Sequence, residues 1–418
     1  MFKKLTVLAL LSTFIPSLFA GNVILAPGAR ANNYGGAFTA IADDGTAIYW
    51  NPAGLANQDE NSEFNFSSYY IKSEATSSSA PIKIFDTPIS AFKEKTLKTE
   101  AYLPFVSYSA PLEDCVIAFG AYAIGGGGGK WEDNGGITGY DYGRIEGEYG
   151  IMVFNISTAK KLSDKLAVGA GFDLLYMKAN SIEQQKWTLG TSSVELKREH
   201  NSSGYSIGAN IGAIYDINDD LNLGLTFRSG SKIKLEGDAE LGVTLRSDSK
   251  IKLEAETDYD QDYQLPMSVS LGSAYRVTEK LTTSLQIDWH DYSAMKKDSN
   301  YRTELPMVFE NENSAYYKRW NDIYVFAIGC EFMATDALSI FGGYKYEPSP
   351  YNKDMINIAE TIQYAYDIYS VGAEYKMESG LSFGINILIV DSQTLADNQG
   401  TIYNYDSIVY RTTINYKF

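Results

Sequence analysis

The chain has 418 residues, 44% hydrophobic and 13% aromatic, with 32 Tyr against 5 Trp and a formal net charge of −17. That acid excess excludes nucleic-acid binding, which needs a basic stripe to neutralise phosphates. His200, His290, Cys115 and Cys330 lie too far apart for a metal or His-based catalytic spacing, so no metal, cofactor or enzymatic role is expected. The two cysteines read as small apolar strand residues, with a disulfide between them left open. A mean hydropathy of −0.21 suits a soluble protein. It equally suits a membrane barrel, in which only alternate strand residues face lipid.

Residues 1–20 read as a signal peptide: Lys3 and Lys4, an apolar run from Leu5 to Phe19, and a cleavage point after Ala20. No later stretch approaches the ~18 apolar residues that a spanning helix requires. Residues 21–62 carry no strand pattern. Small residues dominate, in Gly28-Ala29-Arg30-Ala31, Gly35-Gly36-Ala37-Phe38 and Asn51-Pro52-Ala53-Gly54. Asp43-Asp44 is expected to cap a short helix. A 42-residue segment of this kind cannot form a core alone and needs a host.

From about residue 63 the dominant period is two. Ile408, Tyr410, Thr412, Ile414, Tyr416 and Phe418 share one face, and Ser407, Val409, Arg411, Thr413, Asn415 and Lys417 the other. The pattern predicts fourteen strands, at roughly 63–72, 101–110, 115–124, 149–161, 165–178, 203–217, 220–235, 264–277, 281–291, 320–333, 337–346, 364–377, 380–389 and 406–418. Their connections alternate short and long throughout, as in outer-membrane barrels with periplasmic turns and extracellular loops. Fourteen strands in lipid cannot leave open edges, so the first must pair with the last. The terminal Phe418 resembles the signal that barrel-assembly machinery reads. The run Gly125–Gly129 lacks the Lys-Ser/Thr ending of a phosphate-binding loop and is expected to be a flexible extracellular loop. Lys232 to Tyr259 alternates charged and apolar residues and is expected to extend two strands above the membrane, among lipopolysaccharide sugars and solvent.

The run GARANNYGGAFTAIADDGTAIYWNPAGLA resembles the hatch of the FadL/TodX outer-membrane transporters, with Asn51-Pro52-Ala53 at its signature. Residues 265–293 and 320–350 resemble strand-turn-strand segments of that family, so the resemblance covers essentially the mature chain. It implies an all-β fold: a 14-stranded antiparallel transmembrane β-barrel over 63–418, with residues 21–62 as a hatch inside the lumen. Gly35, Gly36, Asp43, Asp44, Asn51, Pro52 and Ala53 would carry the hatch motif. Residues 21–25 would reach the ligand pocket. The implied function is passive uptake of a hydrophobic ligand, a fatty acid or hydrocarbon, by a monomer in the outer membrane of a Gram-negative cell. Release would follow hatch movement or lateral opening of the wall.

By strand parity Arg228, Arg276, Lys345 and Arg411 point inward, with Arg228 and Arg411 the first choice as partners for a carboxylate. Inward acids Asp173, Asp216, Asp288, Glu331 and Glu374 offer those arginines a competing salt-bridge network. Inward Phe341 and Leu388 favour an apolar cargo over the water-filled channel of a general porin. A scaffold or shuttle role in protein secretion or surface attachment is a further alternative. No G-x-S-x-G elbow is present to support a lipase.

Overall fold

The structure is a computed structural model and describes residues 26–58, 61–78, 82–84, 87–90, 95–133, 140–189, 191–246, 250–294, 299–301, 320–350, 364–396 and 402–418. The signal peptide and residues 21–25 lie outside these.

Fourteen strands form the wall. They are β1 (Glu63–Ser78), β2 (Lys95–Pro111), β3 (Val116–Asp133), β4 (Tyr140–Ser163), β5 (Leu166–Leu189) and β6 (Ser192–Asn218). Next come β7 (Leu221–Arg228, continued by Ser231–Arg246) and β8 (Lys250–Leu265, continued by Ser268–Thr278). The remainder are β9 (Leu281–His290), β10 (Ile323–Met333), β11 (Leu338–Glu347), β12 (Tyr366–Lys376), β13 (Leu381–Ser392) and β14 (Ile402–Lys417). Each pairs antiparallel with its sequence neighbours. β1 also pairs with β14, from Glu63–Lys417 to Ser78–Ile402, and this closes the barrel. The seam leaves no edge of the first or last strand in lipid, where unpaired backbone groups cost several kcal/mol each, about what an unsatisfied polar group costs in an apolar medium.

The period-2 reading holds along the wall. On β14, Val409, Arg411 and Thr413 are buried, while Ile408, Tyr410, Ile414 and Tyr416 are exposed to the membrane side. Outward tyrosines gather at two levels. Tyr70 stacks between Tyr102 and Tyr410, with centroids 4.7 and 6.3 Å away, and Phe418 lies 5.3 Å from Tyr416 and 6.4 Å from Tyr108. Such rings sit with the body in the apolar layer and the hydroxyl in the wet one.

The strand lengths are uneven. β4, β5 and β6 have 24, 24 and 27 residues, whereas β9 to β13 have 10 to 12. A crossing needs only about 9–11 residues, so one side of the barrel rises well beyond the membrane. Much of 125–148 and 179–202, expected as loops, is therefore strand. The glycine run is strand too: Gly125 to Gly129 pair with Ile151 to Gly147 of β4. Backbone bonding from the long partner strand outweighs the poor strand propensity of glycine there. His200 belongs to β6, not a loop, and its ring lies 4.5 Å from that of Tyr259. The expected hairpin extension is present: Ser231–Arg246 pairs with Lys250–Leu265 throughout.

Residues 26–58 fill the end of the lumen nearest the short turns. They form α1 (Ala29–Asn33), α2 (Ala47–Trp50) and a 3-10 helix (Pro52–Asn57), joined by turns. Nearly every side chain in the segment is buried.

Candidate functional site

The inward side of the wall has two levels: a floor on which residues 26–58 rest, and an upper level, the chamber, whose buried apolar side chains form one cluster with those of the segment. Many floor positions of the wall carry polar or very small residues. The polar ones reach the hatch backbone, whose short helices cannot satisfy their own end groups. Thr413 Oγ1 accepts from Ala29 N at 2.9 Å, and Gln286 Oε1 accepts from both Phe38 N and Thr39 N at 2.9 Å. Glu63 Oε1 accepts from Gly45 N at 2.8 Å, Ser107 Oγ donates to Gly45 O at 2.9 Å, and Asn210 Nδ2 donates to Ile48 O at 2.9 Å. Between these side chains stand inward glycines. A Cβ on Gly169 would meet the Pro52–Ala53 backbone, on Gly224 Thr39 and Ala40, on Gly329 the Tyr34 backbone, and on Gly343 Gly35. The absent side chains let the hatch lie directly on the wall.

A buried ion cluster locks the hatch to one side. Arg30 holds Asp43 bidentately, Nε–Oδ1 and Nη2–Oδ2 both at 2.9 Å, and reaches Glu374 Oε2 at 2.8 Å and Glu331 Oε2 at 3.2 Å. Tyr34 donates its hydroxyl to Glu331 Oε2 at 2.5 Å. Burial works against the Arg30 charge, but the surrounding carboxylates outweigh it and hold the guanidinium above its ordinary range. Burial likewise pushes the Asp43 carboxyl up, and Arg30 more than reverses this, bringing it to about 2. Asp44 has no such partner: burial, then the charge of Asp43, raise it to about 6. Neither aspartate caps α2 through its side chain, contrary to expectation. Asp43 is taken by Arg30, and Asp44 Oδ1 closes a turn on Thr46 N at 2.8 Å.

Asn51, Pro52 and Ala53 form the opposite anchor. Asn51 Oδ1 accepts from Ala53 N at 3.1 Å and so caps the 3-10 helix, with Pro52 in its first turn where no donor is missed. Its Nδ2 donates to Thr39 O at 2.7 Å within the hatch and to Ala213 O of β6 at 3.2 Å. Gly35 and Gly36 have φ of +66° and +90°, and Gly35 nestles against the backbone of β10 and β11.

Above the floor the same inward parity carries apolar and aromatic groups. Ile71, Phe105, Tyr149, Ile151, Val153, Leu175, Met177, Val325, Ile368, Leu388 and Val409 belong to one buried cluster, and Tyr49 and Trp50 of the hatch pack on it. Two buried cations lie near the boundary. Arg411 donates to Asn386 Oδ1 at 3.2 Å and stands 5.2 Å over the Tyr69 ring; Lys345 sits beside Gly36.

Of the inward residues expected near a ligand, Arg228 and Phe341 make their contacts with residues 26–58. Arg228 pairs with Asp173 at 2.8 Å, donates to Tyr49 O at 2.5 Å and lies 4.9 Å over the Tyr49 ring, so its charge is matched. Phe341 packs under Tyr34 (5.4 Å, edge-on) and Arg30 (5.5 Å), which cover its face. Arg276 is exposed at the rim, where a bulge interrupts its register. Sequence reasoning missed Arg30 and the inward glycines. A glycine recurring at inward positions of successive strands was the available signal.

The wall itself is interrupted between β2 and β3. Their register runs from Pro111–Val116 to Phe105–Tyr122 and stops, although β2 stays paired to β1 up to Lys95, and β3 to β4 up to Asp133. The break begins within the apolar band, just below the level of Tyr102. A β-bulge at Ile124 marks it: Ala123 pairs with Met152 and Gly125 with Ile151.

A family model described as outer membrane protein transport protein (OMPP1/FadL/TodX) matches residues 19–418. A curated long-chain fatty acid transport protein of Salmonella typhi is 22% identical over 422 residues, covering 91% of this chain and 89% of that protein. The toluene transporter TodX of P. putida superposes with a TM-score of 0.72 at 16% identity, covering 94% of this chain and 99% of that one. A FadL homologue of Pseudomonas aeruginosa superposes with a TM-score of 0.74 at 14% identity, with the same coverage. The two solved structures share the fold, a closed fourteen-stranded barrel.

Proposed function

Because the chain belongs to the outer membrane protein transport protein (OMPP1/FadL/TodX) family, we propose that it carries hydrophobic compounds, long-chain fatty acids foremost, passively across the outer membrane. The observation that carries this reading is the division of the lumen. An apolar chamber stands over a polar floor that is hydrogen-bonded to the hatch around its circumference. An apolar tail gains by leaving water for such a chamber, at roughly 0.8 kcal/mol per buried CH₂. A carboxylate head suits Arg411 and Lys345 at its foot, the two buried cations near the boundary. A general porin is disfavoured, because the hatch occupies the path an aqueous solute would take.

The fixed floor favours release through the side. The interruption between β2 and β3 opens toward the apolar layer, and a hydrophobe leaving there never meets the polar floor. The two relatives named above for fatty acids and for toluene bracket the cargo class. The test is uptake of labelled oleate and labelled toluene by a Gram-negative host that lacks its own transporter, with folding checked by heat-modifiable gel mobility. Oleate uptake above the empty-vector level, lost on deleting Asn51 to Ala53 from a barrel that still folds, is the expected result. Toluene uptake without oleate uptake would reassign the cargo to monoaromatic hydrocarbons. A folded barrel that takes up neither would sink the transport reading.

A further inference from the structure

We infer that Tyr69 is the positioning residue that keeps the wall parted between β2 and β3, by holding the bulge of β3 from two strands away, over the inner face of β2. The inference rests on the lateral release proposed above and assigns it a controlling group. Continued past Phe105–Tyr122, the β2–β3 register would set Leu103 opposite Ile124. Ile124 is the residue that the β3–β4 register skips. A bulge bends the strand that carries it and disrupts the ladder locally. Tyr69 stands on β1, two strands away, opposite Leu103 in register. Its hydroxyl donates to the carbonyl of Ala123, where the bulge begins, at 3.0 Å. Two strand spacings are roughly 10 Å, so the side chain spans the inner face of β2 to make this bond. The bond satisfies that carbonyl without any help from β2.

The ring is held from its other side. Arg411, the register partner of Tyr69 on β14, lies 5.2 Å over the ring and is itself tied to Asn386. Tyr69 and Arg411 are both fully enclosed. A carboxylate drawing on Arg411 therefore acts on the ring that holds the bulge, so cargo in the chamber and the state of the wall are coupled through one pair of side chains.

Tyr69→Phe keeps the ring and its stacking on Arg411 and removes only the hydroxyl. Without it, closing the β2–β3 ladder becomes the way to satisfy Ala123. Oleate uptake by the variant should fall roughly threefold to tenfold, the population shift that one buried hydrogen bond supports. A second measurement reads the wall directly. In a chain carrying Leu103→Cys and Ile124→Cys, with Cys115 and Cys330 changed to Ser, oxidant-driven cross-linking should be faster when Tyr69→Phe is also present. Unchanged uptake, or cross-linking no faster, overturns the inference. If the unaltered chain takes up no hydrophobe while Tyr69→Phe still speeds cross-linking, the transport reading fails and the positioning role stands.

Discussion

The floor and the chamber are built on the same strands and the same inward parity. On β14, Thr413 and Asn415 serve the floor while Val409 lines the chamber, only a few residues further on. On β13, Asn386 bonds Asn33 of the hatch at 2.8 Å, and the next inward residue, Leu388, joins the apolar cluster. The change of character tracks what each level must face. A stretch of irregular backbone has donors and acceptors at every residue, and burial without partners costs each of them about 1–3 kcal/mol. A chamber meant for an apolar guest has the reverse requirement, since an unpaired polar group there would hold water. Parity decides which residues point inward; the occupant of each level decides their chemistry.

The comparison breaks most severely at Arg30. Arg30→Met leaves Asp43, Glu331 and Glu374 gathered without their cation, a loss of about 3–5 kcal/mol for a broken buried pair. The hatch should undock, seen as a steady ion conductance in planar bilayers that the parent lacks. Adding Glu331→Gln and Glu374→Gln should restore part of the closure. Next comes Gly329→Ala, whose new methyl would fall on the Tyr34 backbone and cost about 1–3 kcal/mol by overpacking. It should raise conductance in the same assay. Gly342→Ala, where the nearest atom is Cys330 Sγ at 4.0 Å, should leave conductance unchanged. The chamber should respond differently. Leu388→Asn puts an unpaired amide among apolar groups at a cost of about 1–3 kcal/mol. It should weaken binding of a fluorescent fatty acid while conductance stays at the parent level.

The smallest effect is pH-dependent. Asp44 titrates at about 6 in the folded protein, above the usual carboxylate range. Docking therefore favours its neutral form, and its charge weakens the docked hatch as pH rises through that value. Asp44→Asn should lengthen the protease half-life of the hatch at about pH 8 and change it little at about pH 4. Asp43 runs the other way. Its depressed carboxyl stabilises the docked hatch above the ordinary carboxylate range, and this is lost only as pH falls toward about 2.

The strands and their inward faces were legible in the sequence because a pleated strand alternates whatever it packs against. Arg411 and Leu388 were placed inward on that ground alone, and both are enclosed. The heights of the strands were less legible. Gly125 to Gly129 and Ser192 to Glu199 read as loops because glycine and mixed charge weaken local strand propensity, whereas ladder bonds to a neighbouring long strand hold them extended. Partners within the site were least legible. Arg228 and Phe341 have suitable chemistry for a ligand, but their neighbours Asp173, Tyr49, Arg30 and Tyr34 come from distant parts of the chain. Parity cannot say which of two inward groups a third will meet.

The seam where β1 meets β14 bears on how the molecule is put together. Ala29 bonds Thr413, 384 residues later in the chain, and Ser62 exchanges backbone bonds with the terminal Phe418 at 3.1 and 3.0 Å. A segment near residue 30 thus depends for its final bonds on a strand made 384 residues later. Contacts of such sequence separation come late and slowly, because the chain between must be ordered before they repay it. The hatch is accordingly expected to dock as the sheet closes rather than to enter a finished tube, with its bonds complete once β14 is in place.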